Sequence, residues 1–82
     1  MTRSQLARRI IELVGGPEDV VRVTYCYSRL RFAPRDEGSA LDAQLRTVPG
    51  VVMVLRQSGQ LQVARGSGVG AVFDAVLEGL AT

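Results

Sequence analysis

The chain has no histidine, no lysine and no tryptophan, and a single cysteine in 82 residues. The missing histidine removes the commonest general base and the commonest metal ligand, and with them any phosphorylated histidine within this chain. One cysteine, Cys26, excludes an internal disulfide and makes a reducing cytoplasm the natural setting. No apolar run approaches the roughly 20 residues that a membrane-spanning helix needs. The longest, Val51 to Leu55, has the length of a strand. Arg3, Arg8 and Arg9 lie within an amphipathic pattern and not ahead of an apolar signal core, so direct membrane insertion is not expected. Asp36, Glu37, Asp42, Asp74 and Glu78 show no metal-ligand spacing, and neither a metal nor another cofactor is expected.

What is present suits one small globular domain spanning residues 1–82. An apolar share of 46% is enough for a core, and no segment is of low complexity. Every base is arginine, whose flat, permanently charged fork fits carboxylates and phosphates, although genome-wide codon bias is the simpler cause of a total absence of lysine. A net charge of +2 is too small to indicate a nucleic-acid binder.

The spacing of Leu6, Ile10, Leu13 and Val14 predicts a helix over about residues 3–14, with Thr2 and Gln5 as a capping box and Gly15-Gly16-Pro17 as its stop. The period then falls to two. Val21, Val23 and Tyr25 alternate with Arg22 and Thr24, and after a short connection Leu30 and Phe32 alternate with Arg29, Arg31 and Ala33. Ser39 is a good N-cap for a short helix carrying Leu41, Leu45 and Val48, which Pro49-Gly50 ends. Val51–Arg56 and Gln60–Arg65, joined by Ser58-Gly59, read as a second hairpin. Val69, Val72, Phe73, Val76, Leu77 and Leu80 form a last helical face, with Ser67 as its cap. The order α-β-β-α-β-β-α predicts an α+β fold, a two-layer sandwich of a four-stranded antiparallel sheet with three helices on one face.

Cys26 falls at the tip of the first hairpin, where backbone N–H groups escape the ladder. Successive free amides form an anion-holding concavity, for which Tyr27, Ser28, Arg29 and Leu30 are the phosphate-binding candidates. Arg29 and Arg31, two apart on a strand, emerge on one face. A thiolate is the attacking form of cysteine, and neighbouring arginines favour it. The charge of a loaded phosphoryl group could be met by amides and guanidiniums without a metal. Against this stands the plain alternative that a lone cysteine is a small buried hydrophobe and paired strand arginines a solvated face. Hydrolysis of the cysteine-phosphatase kind requires Cys-x5-Arg, and that position is Phe32. Gly66-Ser67-Gly68-Val69-Gly70 lacks the Lys-Ser/Thr ending of a nucleotide phosphate loop and reads as a flexible lead into the last helix.

Four blocks carry a resemblance: Leu13-Val14-Gly15-Gly16-Pro17-Glu18-Asp19-Val20, Cys26-Tyr27-Ser28-Arg29-Leu30-Arg31-Phe32, Val48-Pro49-Gly50-Val51-Val52 and Gly59-Gln60-Leu61-Gln62-Val63. Together they resemble the IIB domain of the glucose superfamily of phosphotransferase-system (PTS) permeases, with the Pro-Gly-Val and Gly-Gln-x-Gln-Val blocks nearer the sucrose and β-glucoside branch. The resemblance implies a relay. A phosphohistidine on a IIA domain would load Cys26, and a sugar held in a membrane-embedded IIC domain would receive the phosphoryl group. It gives Arg29 and Arg31 the role of assisting transfer to the sugar, and it implies a cytoplasmic unit held at the inner membrane face through IIC, monomeric when isolated. Ser28 departs from the family's usual threonine, and Tyr25 and Tyr27 depart beside the nucleophile. Two other classes are open to the same residues: a degenerate regulatory module that only binds a protein partner, and a small RNA-binding sheet, disfavoured by the modest charge and the lack of aromatic stacking signatures.

Overall fold

Helix α1 (Arg3–Leu13) opens with the capping box that its sequence announces. Gln5 N–H donates to the Thr2 hydroxyl at 3.1 Å, and Thr2 N–H donates to Gln5 Oε1 at 2.8 Å. A computed structural model describes residues 2–36, 38 and 40–81. The helix closes with the amides of Gly15 and Gly16 returning to the carbonyls of Glu12 and Ile11, at 3.2 and 2.9 Å. This closure needs a left-handed residue, and Gly15 supplies φ +124°. A single 3₁₀ turn, Pro17–Asp19, then leads into the sheet.

The strands are β1 (Val20–Cys26), β2 (Arg29–Pro34), β3 (Val51–Gln57) and β4 (Gln60–Arg65), antiparallel in the order β1-β2-β4-β3. Helix α2 (Asp42–Leu45) sits between the hairpins, and α3 (Val69–Ala81) ends the described chain. The fold is the expected α+β two-layer sandwich. Leu30 and Phe32 of β2, and Leu61 and Val63 of β4, are completely buried against Ile10, Leu45 and Val76 of the three helices. Because side chains alternate along a strand, this inward set fixes the opposite one. Cys26, Arg29, Arg31, Gln62 and Ala64 share the face that turns away from the helices.

Three expectations need correction. Val21 does not alternate inward with Val23 and Tyr25: the register slips between Val20 and Arg22, and the bulged Val21 is 59% exposed. Helix α2 is shorter than its apolar stripe suggests, and its cap position is Leu41, without a side-chain cap bond; Ser39 lies outside the described residues. The first turn of α3 closes on Gly68, whose carbonyl accepts from Val72 N–H at 3.1 Å, so Ser67 stands one residue before the cap.

Candidate functional site

Cys26 ends β1 and Arg29 begins β2, and the two are direct cross-strand partners closing a two-residue turn. Direct partners point to the same face, which places the Cys26 and Arg29 side chains together on the open face of the sheet. Arg31 follows on that face, opposite Thr24 on one side and Gln62 on the other. The three sequence-predicted catalytic candidates are therefore brought together by register, with Cys26 and Arg31 both half-buried and Arg29 between them.

The turn itself is unusual. Tyr27 takes φ +56°, a left-handed conformation that bulky side chains rarely adopt, and its side chain is 94% exposed. Neither the Tyr27 nor the Ser28 amide donates a hydrogen bond among the described residues, while the Ser28 carbonyl accepts from Arg65 N–H at 2.7 Å and anchors the tip to β4. Arg29 and Leu30 differ from these two. Both sit in a central strand with partners on each side, and the Leu30 side chain is wholly in the core. Their amides are ladder positions, so the free donors next to the thiol are those of Tyr27 and Ser28.

Sequence reasoning missed Gln62. It alternates with Leu61 and Val63 as an outward polar residue should, yet it is only 3% exposed. β4 is central, so Gln62 is flanked on both sides, by Arg31 of β2 and by Leu55 of β3. Arg29 Nη1 donates to Gln62 Oε1 at 3.1 Å, reaching past its own direct partner Ala64, whose methyl leaves the path open. Arg31 has no such acceptor, and its Nε is buried without a partner. The signal in the sequence was Gln62-x-Ala64 set against Arg29-x-Arg31, which acquires meaning only once β2 and β4 are known to be neighbours.

Arg65 has a structural task at the same end of the sheet. Its guanidinium lies over Gly50 and donates to the carbonyls of Pro49 and Ser67, at 3.3 and 3.4 Å. Desolvation by partial burial pushes its pKa below the ordinary arginine value. The Gly66–Gly70 segment is thereby tied down, and Tyr25 packs beside it, its ring centroid 4.7 Å from that of Phe73 and its hydroxyl close to Gly70. Among the described residues no group of His, Cys, Asp or Glu could hold a metal ion, and no helix is long and apolar enough to cross a membrane.

Comparison with known proteins gives this geometry a context. The chain is 44% identical over 78 residues, 95% of its length, to a PTS β-glucoside-specific EIIBCA component of Halalkalibacterium halodurans. It is 40% identical over 76 residues, 92% of its length, to the PTS sucrose-specific EIIBC component of Bacillus subtilis. It spans only 12% and 16% of those two relatives. One domain of the PTS IIabc component from Clostridium difficile superposes with a TM-score of 0.82 at 27% identity, over 94% of this chain and 80% of that one. No protein-family model matches the chain. By sequence and by fold, the chain is similar to one domain of the EIIB-containing components of the sugar phosphotransferase system, of whose length it spans a small part.

Proposed function

We propose that this chain is the phosphoryl-relay unit of a sugar phosphotransferase system, with Cys26 as the carrier. The observation that carries the reading is the register that sets Cys26 directly opposite Arg29, with Arg31 on the same face and free amides at Tyr27 and Ser28. In the first step the Cys26 thiolate attacks phosphorus in a phosphohistidine of a IIA domain. The S–P bond forms, the P–N bond breaks, and the imidazole leaves with its electron pair. In the second step a sugar hydroxyl in a IIC domain attacks the same phosphorus. The O–P bond forms, the S–P bond breaks with its electrons returning to sulfur, and the hydroxyl proton is released.

Such a transfer asks chiefly for in-line positioning and for charge to meet the equatorial oxygens. The Tyr27 and Ser28 amides supply uncharged donors beside sulfur, and Arg29 and Arg31 supply planar forks along the open face. Because the donor histidine belongs to IIA, a chain without histidine is sufficient for the carrier role. Anchorage through IIC would hold the unit at the cytoplasmic face of the membrane, and the kinship with β-glucoside and sucrose components points to a glucoside as the sugar.

The test is to separate the two half-reactions, using phosphorylated IIA as donor and membranes bearing a IIC domain as acceptor. Arg29→Lys and Arg31→Lys keep the charge and lose the fork. Both are expected to load at the wild-type rate and to phosphorylate sugar at least about tenfold more slowly, the cost of one lost charge-assisted hydrogen bond. Normal sugar transfer in both variants contradicts the role given to the arginines. A chain that binds IIA without ever loading would instead be a regulatory binding module.

A further inference from the structure

Gln62 is a polar side chain, 3% exposed, in the middle of the face that carries Cys26, Arg29 and Arg31. Burying an amide is unfavourable unless its groups are hydrogen-bonded. Gln62 meets the condition: Oε1 accepts from Arg29 Nη1 at 3.1 Å, and Nε2 donates to Gln60 Oε1 at 3.5 Å. A guanidinium only donates, so Arg29 itself dictates which end of the amide turns toward it, and Gln60 supports the same orientation from the other side.

The choice of partner is selective. Gln62 stands directly opposite Arg31, yet its oxygen serves Arg29, two residues along the ladder, and Arg31 Nε is left buried and unpartnered. Arg29 lies between Cys26 on β1 and Ala64 on β4, so the bond to Gln62 draws its head toward β4. We infer that Gln62 is a positioning residue, which holds the Arg29 guanidinium toward β4 on the open face, in the orientation from which it assists transfer to the sugar. The inference rests on the relay reading, and it assigns Gln62 no contact with phosphorus.

Gln62→Met removes the acceptor and keeps the volume and the burial. The expected result is loading of Cys26 from phosphorylated IIA at the wild-type rate, with sugar transfer slowed about tenfold, as for the loss of a hydrogen bond to a charged group. In an Arg29→Lys background the same substitution should cost nothing further, because the two residues act as a unit. A merely structural role would slow both half-reactions together or add to the effect of Arg29→Lys, and either outcome overturns the inference. So does unchanged sugar transfer in a folded Gln62→Met. A second readout does not depend on transfer: in ¹⁵N NMR the Arg29 side-chain N–H groups should show slow rotation about Cζ, lost in Gln62→Met and retained in Gln62→Glu. If the wild-type chain fails to load, the relay reading falls, and this NMR comparison alone decides whether Gln62 positions Arg29; fast rotation in the wild type would reject it.

Discussion

Tyr27 is where residue-scale chemistry is most exposed. A left-handed φ costs a non-glycine residue about 1–2 kcal/mol, and at 94% exposure the Tyr27 side chain recovers nothing through burial. Glycine would remove that strain while losing about 0.5–1 kcal/mol to its greater freedom in the unfolded chain. Tyr27→Gly should therefore stabilise the domain by roughly 0.5–1 kcal/mol in urea unfolding, a net of these two terms. A destabilised Tyr27→Gly would mean that the tyrosine makes a stabilising contact. The residue types of this site were legible in the sequence, because Cys26, Arg29 and Arg31 fall on one face as soon as the hairpin is recognised. Gln62 was not legible, because its neighbour Arg29 is 33 residues away in the chain and the pairing of β2 with β4 cannot be read from either strand alone.

At the scale of elements, both edge strands are bulged near their first residues, at Val21 of β1 and Val52 of β3, and both bulged valines are exposed. A bulge twists an edge and breaks its run of free backbone groups, which discourages pairing with another chain. Period-two alternation hides such a slip, since each bulge adds one residue without changing composition. That is why alternation alone predicts the wrong face for Val21. Helix α2 is a single turn without a side-chain cap. Its four residues are held mainly by tertiary contacts: Leu45 in the core, and Asp42, which accepts two bonds from Arg56 at 2.9 and 3.0 Å. The Pro49-Gly50 turn that follows depends on close approach. Gly50 has φ +86°, and a Cβ there would lie 2.7 Å from an Arg65 guanidinium nitrogen. Gly50→Ala is expected to destabilise by about 1–3 kcal/mol, combining backbone strain with displacement of Arg65. Equilibrium denaturation checks this, and a neutral Gly50→Ala would show that Arg65 moves aside freely.

For the whole molecule, 82 residues imply a total stability of roughly 4–12 kcal/mol. Phe32 is completely buried at the centre of the sheet, and removing a buried phenylalanine side chain costs about 3–5 kcal/mol. Phe32→Ala should remove a large share of that stability, visible in circular dichroism as a cooperative transition moved to lower denaturant; an unmoved transition would contradict the place given to Phe32 in the core. The layer order, the two hairpins and the identity of the core were readable because helix period, strand period and turn chemistry agreed along the chain. The burial of β4 on both faces was not, since it depends on β4 being a central strand, with Gln62 and Ala64 flanked by Arg31 and Arg29 of β2 and by Leu55 and Met53 of β3.

Whether sulfur carries the phosphoryl group is the point on which the account depends. Intact-mass measurement of the chain after incubation with the general phosphotransferase proteins and its own IIA domain addresses it directly. A single phosphoryl adduct on the wild type, absent from a folded Cys26→Ser, is the predicted result. An unmodified wild type, or an adduct that survives in Cys26→Ser, would contradict it.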